Sequence, residues 1–183
     1  MKTIQYTTID KSTWGPGPWQ TEPDKIQYQD EATGFPCLVT RTDMGNLCGY
    51  VGVPESHPLF GKSDNNARDV CVHGGVTFAD SCQPHATEES GVCHLPEPGE
   101  SDNVWWFGFD CAHAGDFLPG MGALMKSISP KNPNPEPGYT FGTGTTYYRD
   151  LLGGDKYRDL AYVKENIAHL ALQLKAAESN GNA

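Results

Sequence analysis

Residues 104–116 read VWWFGFDCAHAGD, an aromatic run that passes directly into polar and ionisable side chains. The run up to Phe109 has the bulky apolar composition of a buried strand. Four of the next seven residues can ionise or bind a metal ion: Asp110, Cys111, His113 and Asp116. The sequence therefore predicts a buried strand whose end carries a chemically active turn.

Other apolar runs predict the sheet to which this strand belongs. PCLVTRT and LCGYVGV flank the tetrapeptide Asp43–Asn46, in which Gly45-Asn46 tolerates positive φ. This pattern is typical of a β-hairpin. VCVHGGVTF predicts a third strand from Val70 to Phe78, interrupted by two glycines. A glycine within a strand indicates a bulge or the close approach of another group.

One strong helical pattern follows near the end of the sequence. Apolar residues recur at steps of three and four, which places them on one helical stripe. These residues are Leu160, Val163, Ile167, Leu170 and Leu174. The pattern predicts a helix over about 155–178, with Asp155 or Asp159 as its N-cap and Asn180-Gly181 at its end. We expect the helix to cover one face of the sheet, and a coiled-coil dimer seam is the alternative.

These elements together predict an α+β fold. We expect a single domain over residues 1–183, with a mostly antiparallel sheet packed by one long C-terminal helix and long Gly/Pro-rich loops. The 21 glycines and 14 prolines favour short strands joined by many loops. Residues 1–35 are expected to form a loop-rich N-terminal arm, because 12–34 contains Gly15-Pro16-Gly17-Pro18 and shows no periodicity.

Charge and hydropathy restrict the classes of function. The formal net charge is −10 and the basic residues are scattered, so sequence-specific nucleic-acid binding is not expected. The first residues lack the apolar stretch of a signal peptide, and no run is long enough for a membrane span. These features predict a cytoplasmic protein without a membrane partner. In that compartment the six cysteines are expected to be reduced thiols or metal ligands.

The turn after the aromatic strand is the first candidate site. If residues 110–116 form a helical turn, Asp110, His113 and Asp116 share one face. His73, beside the Gly74-Gly75 pair, is the fourth candidate. Together these groups suit a divalent metal, zinc or magnesium, or general acid–base catalysis. The structural alternatives are that Asp110 caps a short helix, that Asp116 closes a turn, and that His73 is a core residue bonded to a carbonyl.

Cys111 suggests a different chemistry at the same place. A thiolate at a helix N-terminus has a lowered pKa, because the helix dipole favours the anion. With His73 as base and Asp110 or Asp116 as the orienting acid, Cys111 would be a nucleophile. The order of these residues resembles that of permuted papain-like hydrolases and acyltransferases, over only a handful of positions. The catalytic candidates are therefore His73, Asp110, Cys111 and His113.

A second set of residues predicts ligand binding. His57 and Lys62 lie in a loop framed by proline and glycine, and Gly74 and Gly75 would let a ligand approach the backbone. Aromatic rings that could stack on a base complete the set: Trp105, Trp106 and Tyr148. The predicted partner is a small molecule, and a nucleotide derivative is one candidate.

A third pattern predicts a structural zinc site as an alternative. Cys82 and His85 have the Cys-x-x-His spacing, and Cys93 follows with its own neighbouring histidine. Cys111 could supply an outside ligand. The adjacency of Cys93 and His94 fits a chelating turn poorly.

Several motifs together resemble a family of small proteins encoded by bacteriophages and bacteria. They are GPWQTEPDK, CGYVGVPESHPLFGK, VHGGVTF, WWFGFDCAHAGD and YRDLAYVKENIAHLALQL. The resemblance implies a phage or prophage origin and a location in the host cytoplasm. It implies no catalytic residue. Phage proteins of this size and charge often interfere with host processes, including nucleotide signals, which suggests the nucleotide-like ligand.

Three hypotheses about function follow from the sequence. The first is a small hydrolase, metal-assisted or Cys/His-dependent, that acts on a small polar molecule. The second is a non-catalytic module that sequesters a nucleotide-like signalling molecule. The third is a zinc-stabilised interaction protein. The sequence does not predict the oligomeric state.

Overall fold

The structure, a computed structural model, describes residues 1–82, 87–121, 140–141, 145–146 and 155–180. It contains a six-stranded sheet in the order β1-β2-β3-β4-β6-β5, in which all neighbouring strands are antiparallel. The strands are β1 (Ile4–Tyr6), β2 (Lys25–Gln29), β3 (Pro36–Arg41), β4 (Leu47–Pro54), β5 (Phe78–Ser81) and β6 (Val104–Asp110). A separate pair joins β7 (Thr140–Phe141) to β8 (Thr145–Thr146). Helix α1 spans Leu160–Asn180, and the predicted α+β class with an antiparallel sheet and one C-terminal helix is confirmed.

The hairpin of β3 and β4 forms as predicted. The Thr42 amide donates to the Asn46 carbonyl at 3.0 Å, and the Gly45 amide donates to the Thr42 carbonyl at 2.9 Å. Gly45 has φ +93°, and a Cβ at this position would collide with Pro119. The turn therefore requires glycine both for its conformation and for the approach of the segment after β6.

β6 pairs with β4 along its whole length and brings its polar end to the hairpin turn. The register runs from Pro54 opposite Val104 to Cys48 opposite Asp110. The Cys111 amide then donates to the Leu47 carbonyl at 3.0 Å, which continues the pairing by one residue. The turn that follows Asp110 consequently lies at the same end of the sheet as the β3–β4 turn.

Helix α1 packs across one face of this sheet. Its apolar stripe is fully buried: Val163, Ile167, Leu170, Ala171 and Leu174. The stripe forms one core cluster with inward-facing residues of the strands, among them Val39, Val51, Phe107 and Phe109. The Asp159 carboxylate accepts a hydrogen bond from the Tyr162 amide at 2.9 Å, so Asp159 caps the first turn. The helix ends at Asn180, and Gly181 lies outside the described residues.

The helix begins five residues later than the sequence pattern predicted. Lys156 instead pairs with Asp116 in a parallel bridge, in which the Lys156 amide donates to the Gly115 carbonyl at 2.8 Å. The Lys156 carbonyl in turn accepts from the Phe117 amide at 3.0 Å. Because these backbone groups are used between segments, residues 155–159 remain extended.

The N-terminal arm contains two strands that the sequence analysis did not predict. In β2, Ile26 faces the helix side while Lys25 and Gln27 are buried on the other side. Polar residues at buried positions hid the alternation of a strand. Burial lowers the pKa of Lys25 to about 8. The Gln27 side chain is satisfied by the backbone of Leu95, whose amide donates to it at 2.9 Å.

A buried ionic cluster ties this arm to the residues before α1. The Arg41 guanidinium donates to the Asp24 carboxylate at 3.0 Å, the Glu22 carboxylate at 2.8 Å and the Tyr157 hydroxyl at 2.6 Å. The Leu160 amide donates to the other Glu22 oxygen at 2.9 Å. Breaking one partner of such a cluster would leave a buried charge uncompensated. The position of Tyr157, next to Arg158, is therefore well defined.

The predicted third strand is largely wrong. Residues 70–77 form a loop, and β5 begins only at Phe78. Gly74 and Gly75 have φ values of +67° and +86°, which are incompatible with a strand. The loop lies along α1 instead. The Cys71 amide donates to the side-chain Oε1 of Gln173 at 2.8 Å, and the His73 amide donates to the side-chain Oδ1 of Asn166 at 3.1 Å.

The other face of the sheet carries a second apolar cluster, with Leu38, Tyr50 and Trp106 packed against Val92. Val92 belongs to a segment that is joined to β5 by a disulfide between Cys82 and Cys93. The prediction that all six cysteines are reduced thiols or metal ligands is therefore wrong for this pair.

We expect Ile167→Ala to lower the free energy of unfolding by about 2–5 kcal/mol, because it leaves a cavity at the centre of the helix–sheet contact. Leu172→Ala is the control on the same helix, since Leu172 is 52% exposed, and it should change stability by less than about 0.5 kcal/mol. Urea unfolding followed by circular dichroism measures both. Equal losses in the two variants would contradict the packing of α1 described above.

Candidate metal centre

Three segments meet at the end of β6. They are the turn 111–116, the loop 70–77, and the stretch 156–166 that leads into α1. The bridge between Asp116 and Lys156 joins the first to the third, and the hydrogen bond from the His73 amide to Asn166 joins the second to the third. These two pairings place His73, His113 and Asp116 beside one another.

Asp116 is at the centre of this arrangement. Its side chain is 1% exposed, and its Oδ1 accepts a hydrogen bond from Arg158 Nε at 2.8 Å. Its Oδ2 faces two donors, the His113 amide at 3.0 Å and His73 Nε2 at 2.7 Å. Burial alone raises the pKa of Asp116, but the hydrogen bonds from Arg158, His73 and the His113 amide outweigh it and hold the pKa below its usual value. Asp116 is therefore a buried carboxylate that keeps its charge.

His73 is held from both sides of its ring. Nε2 contacts Asp116, and Nδ1 lies 3.0 Å from the Tyr162 hydroxyl. The side chain is 11% exposed. The loop thus presents His73 in one orientation, with one ring nitrogen aimed at the carboxylate.

His113 differs because its buried ring nitrogen is unsatisfied. Nδ1 has no hydrogen-bond partner within the part of the chain that the structure describes. It lies 3.8 Å from Asp110 Oδ1 and 4.0 Å from Asp116 Oδ2, beyond hydrogen-bond distance. The ring packs directly on Gly74, where an added Cβ would fall within the imidazole. A buried polar atom without a partner, aimed between two carboxylates, needs an explanation.

The cluster could hold a metal ion. One potential ligand atom from each of His73, His113 and Asp116 lies within 4.8 Å of the others. Two imidazole nitrogens and one carboxylate oxygen form a common donor set for a transition metal with an open coordination position. Three of the four predicted metal ligands are thus brought together.

Asp110, the fourth predicted ligand, lies beside the group rather than within it. Its Oδ2 accepts from Thr77 Oγ1 at 3.2 Å, and its Oδ1 accepts from the Ala112 amide at 3.0 Å. The side chain is 37% exposed. The helical turn expected over 110–116 is absent, since Asp110 ends β6 and the Asp116 amide closes a tight turn onto the His113 carbonyl at 2.9 Å. The residues converge through this turn and not through a helix.

The thiol alternative is contradicted. Cys111 is 1% exposed and belongs to the core cluster between sheet and helix. It does not begin a helix, and burial raises the pKa of its thiol instead of lowering it. A buried neutral thiol is not a nucleophile.

Most of the predicted ligand-binding residues lie elsewhere. His57 is buried, with Nε2 2.9 Å from the Leu174 carbonyl and Nδ1 accepting from the Leu59 amide at 3.1 Å, so it is a structural residue. Lys62 is exposed, and its carbonyl accepts from Trp105 Nε1 at 2.9 Å. Trp106 is fully buried and cannot stack on a ligand. Tyr148 lies outside the described residues.

The two glycines of the loop have different surroundings. Gly74 contacts His113, whereas an added Cβ at Gly75 would meet nothing within 4 Å. The structural zinc site is contradicted as well, because Cys82 and Cys93 are joined to each other. His85 lies outside the described residues.

Three residues that support the cluster were missed by the sequence analysis. Arg158, Tyr162 and Asn166 contact Asp116, the His73 ring and the His73 amide respectively. Tyr162 and Asn166 are four residues apart, which placed them on one side of the predicted helix. The sequence carried no signal that this side would face the His73 loop.

A cavity of about 1070 Å³ lies away from the cluster. It is lined by Phe35, Pro36, Pro54 and Val104, with Lys175 and Glu178 from α1. Val104 and Pro54 are at the opposite end of β6 and β4 from Asp110, about 20 Å along the strands. The cluster of His73, His113 and Asp116 is therefore separate from this cavity.

Comparisons of the chain with protein-family models, with curated proteins and with solved structures return no match. The described part of the chain holds no helix whose length and apolar character would allow it to cross a membrane.

We expect Gly74→Ala to weaken metal binding more than Gly75→Ala. Both glycines have positive φ, so either substitution costs about 1–2 kcal/mol of backbone strain. Only the methyl group at position 74 would push the His113 ring away. The zinc affinity of both variants, measured by competition with a chromophoric chelator, separates the effect of backbone strain from the effect of displacing the His113 ring. If both variants bind zinc equally, His113 is not a ligand held against Gly74.

Proposed function

We propose that the chain is a metal-assisted hydrolase of a small polar molecule. His73, His113 and Asp116 hold one divalent ion, and Asp110 handles the proton. The observation that carries the proposal is His113 Nδ1, which is buried without a partner among the described residues and faces two carboxylate oxygens. An ion bound there would satisfy the nitrogen and balance the carboxylates.

Of the two predicted metals, zinc fits the donor set better than magnesium. Magnesium prefers oxygen ligands in near-octahedral geometry, whereas imidazole suits zinc. The contacts behind the cluster support this choice. Tyr162 orients His73, and Arg158 occupies Asp116 Oδ1, which leaves Oδ2 directed toward both histidines. Such supporting contacts are common around metal ligands.

The reaction that suits these groups is the addition of water across one bond. A divalent ion held by His73, His113 and Asp116 would make water acidic enough to act as a nucleophile near neutral pH. Asp110 would accept the proton from the attacking water as its oxygen adds to the electrophilic centre of the substrate. The bond to the leaving group breaks, its electron pair stays with the leaving group, and Asp110 returns the proton to it. Asp110 is suited to this role because it is half-exposed and lies beside His113.

The nucleotide-derived substrate gains no support from base stacking at this centre. Trp106 is fully buried, and Trp105 packs against Phe60 at the far end of β6. The proposal therefore names a small polar substrate without a base. The phage origin and the cytoplasmic location are parts of the proposal that rest on the sequence alone.

Metal analysis tests the centre directly. The protein, stripped with a chelator and reloaded with zinc, is expected to hold one zinc per chain by mass spectrometry of its metal content. The His113→Ala variant should lose most of the zinc, because one of the three proposed protein ligands is removed. His169→Ala is the control, since His169 is exposed on α1, and it should keep full stoichiometry.

Two results would contradict the metal proposal. One is zinc content that is equal in the His113→Ala and His169→Ala variants. The other is stoichiometric iron in the protein as purified, because two histidines and one carboxylate also form the ligand set of non-haem iron oxygenases. Iron would replace hydrolysis by redox chemistry.

Asp110→Asn is expected to lower kcat by about 10²- to 10⁴-fold while zinc content stays unchanged, because general acid–base catalysis is lost but the ligands remain. The assay is the release of nitrophenol from a panel of nitrophenyl phosphate and carboxylate esters by the zinc-loaded protein. Asp80→Asn is the matched control on exposed strand β5 and should leave kcat unchanged. Hydrolysis that is insensitive to Asp110→Asn would remove Asp110 from the mechanism.

A further inference from the structure

Arg158 has unused hydrogen-bonding capacity beside the metal centre. Among the described residues, only Nε of its five N–H donors is engaged, by Asp116 Oδ1 at 2.8 Å. A bidentate pair with Asp116 does not form, because Oδ2 is taken by His73 and the His113 amide. Within the described residues, no partner is found for the two terminal nitrogens. The side chain is 23% exposed, so a ligand can reach it.

The guanidinium is held in a defined orientation. It lies over the Tyr162 ring, with its Cζ 4.8 Å from the ring centroid, and the Lys156 backbone bridge fixes the chain two residues earlier. A planar fork fixed by a ring and a carboxylate loses little freedom when it binds oxygen atoms. This is the arrangement expected of a preorganised anion-binding group.

The net charge of the metal-loaded site also favours the binding of an anion. The two positive charges of a divalent ion would balance the carboxylates of Asp110 and Asp116. The guanidinium of Arg158 then gives the metal-loaded site a net positive charge. Net attraction for an anion follows at short range, even though the whole chain carries a net charge of −10.

We propose that Arg158 binds an anionic group of the substrate, phosphoryl or carboxylate, through its terminal nitrogens. Both groups present paired oxygens that match the guanidinium fork. The inference rests on the proposed hydrolase function for the word substrate. The guanidinium itself makes the contact with the anion, and the metal-loaded protein is expected to bind the anion more tightly than the metal-free protein because its site has a net positive charge. The substrate class is thereby narrowed to small anionic molecules.

Titration calorimetry with inorganic phosphate and, separately, with acetate tests the site. Both the metal-free and the zinc-loaded protein are used, because phosphate can also bind zinc directly. Arg158→Lys keeps the positive charge near Asp116 but removes the planar fork, and it is expected to weaken anion binding about tenfold. Lys156→Gln is the control, since it removes a neighbouring exposed cation whose backbone alone makes the bridge, and it should change affinity less than twofold.

A second measurement needs no variant. The Arg158 side-chain nitrogen signals in the NMR spectrum should shift when phosphate or acetate is added to the metal-free protein. Stronger binding of phosphate would assign a phosphoryl substrate, and stronger binding of acetate a carboxylate. Unshifted Arg158 signals, or equal losses in Arg158→Lys and Lys156→Gln, would overturn the proposal.

The two proposals fail in different ways. If zinc does not bind but phosphate binding depends on Arg158, the metal-assisted hydrolase is wrong and the anion site stands. If zinc binds and esters are hydrolysed, but the affinities for phosphate and for acetate do not depend on Arg158, only the proposal of the anion site is wrong. Zinc content measured in Arg158→Lys keeps these cases apart.

Discussion

Helix α1 makes two kinds of contact through adjacent stripes of its surface, and the rest of the structure depends on how the helix packs on the sheet. One stripe, centred on Ile167, is buried against the sheet and forms one core cluster with residues of its strands. The next stripe, with Tyr162, Asn166 and Gln173, binds the loop 70–77. Because the two stripes belong to one rigid element, hydrophobic packing of the helix also sets the position of His73.

Buried charge imposes a second constraint at the start of this helix. Arg41 needs Glu22, Asp24 and Tyr157 as partners, and Asp116 needs Arg158 and His73. A buried charge without partners costs several kcal/mol. Tyr157 and Arg158 are adjacent in sequence, so the two clusters hold the same short segment from both sides. These side-chain contacts add to the backbone bridge at Lys156, so the candidate centre is built on a fixed segment.

In many proteins the reactive side chains lie inside the main cavity, but in this structure the candidate centre and the cavity are at different places. The cavity has the volume of a small-molecule site, but its lining offers apolar residues and surface charges and none of the three clustered ligands. The centre offers three potential metal ligands, a fixed carboxylate, and the His113 ring nitrogen that has no hydrogen-bond partner among the described residues. Chemistry depends on positioned reactive groups more than on volume, which is why the function is assigned to the Asp116 end of the sheet.

Local patterns in the sequence determined the class of the fold, the β3–β4 hairpin and the helical stripe, and they made His73, Asp110, His113 and Asp116 the candidate metal ligands. Those features depend on periodicity and on short turns, which neighbouring residues decide. Tertiary structure alone decided that Cys111 is buried, that Cys82 meets Cys93, and that Arg158 reaches Asp116. These outcomes depend on contacts between residues distant in sequence, and the energies that select them, burial and charge pairing, have no local signature.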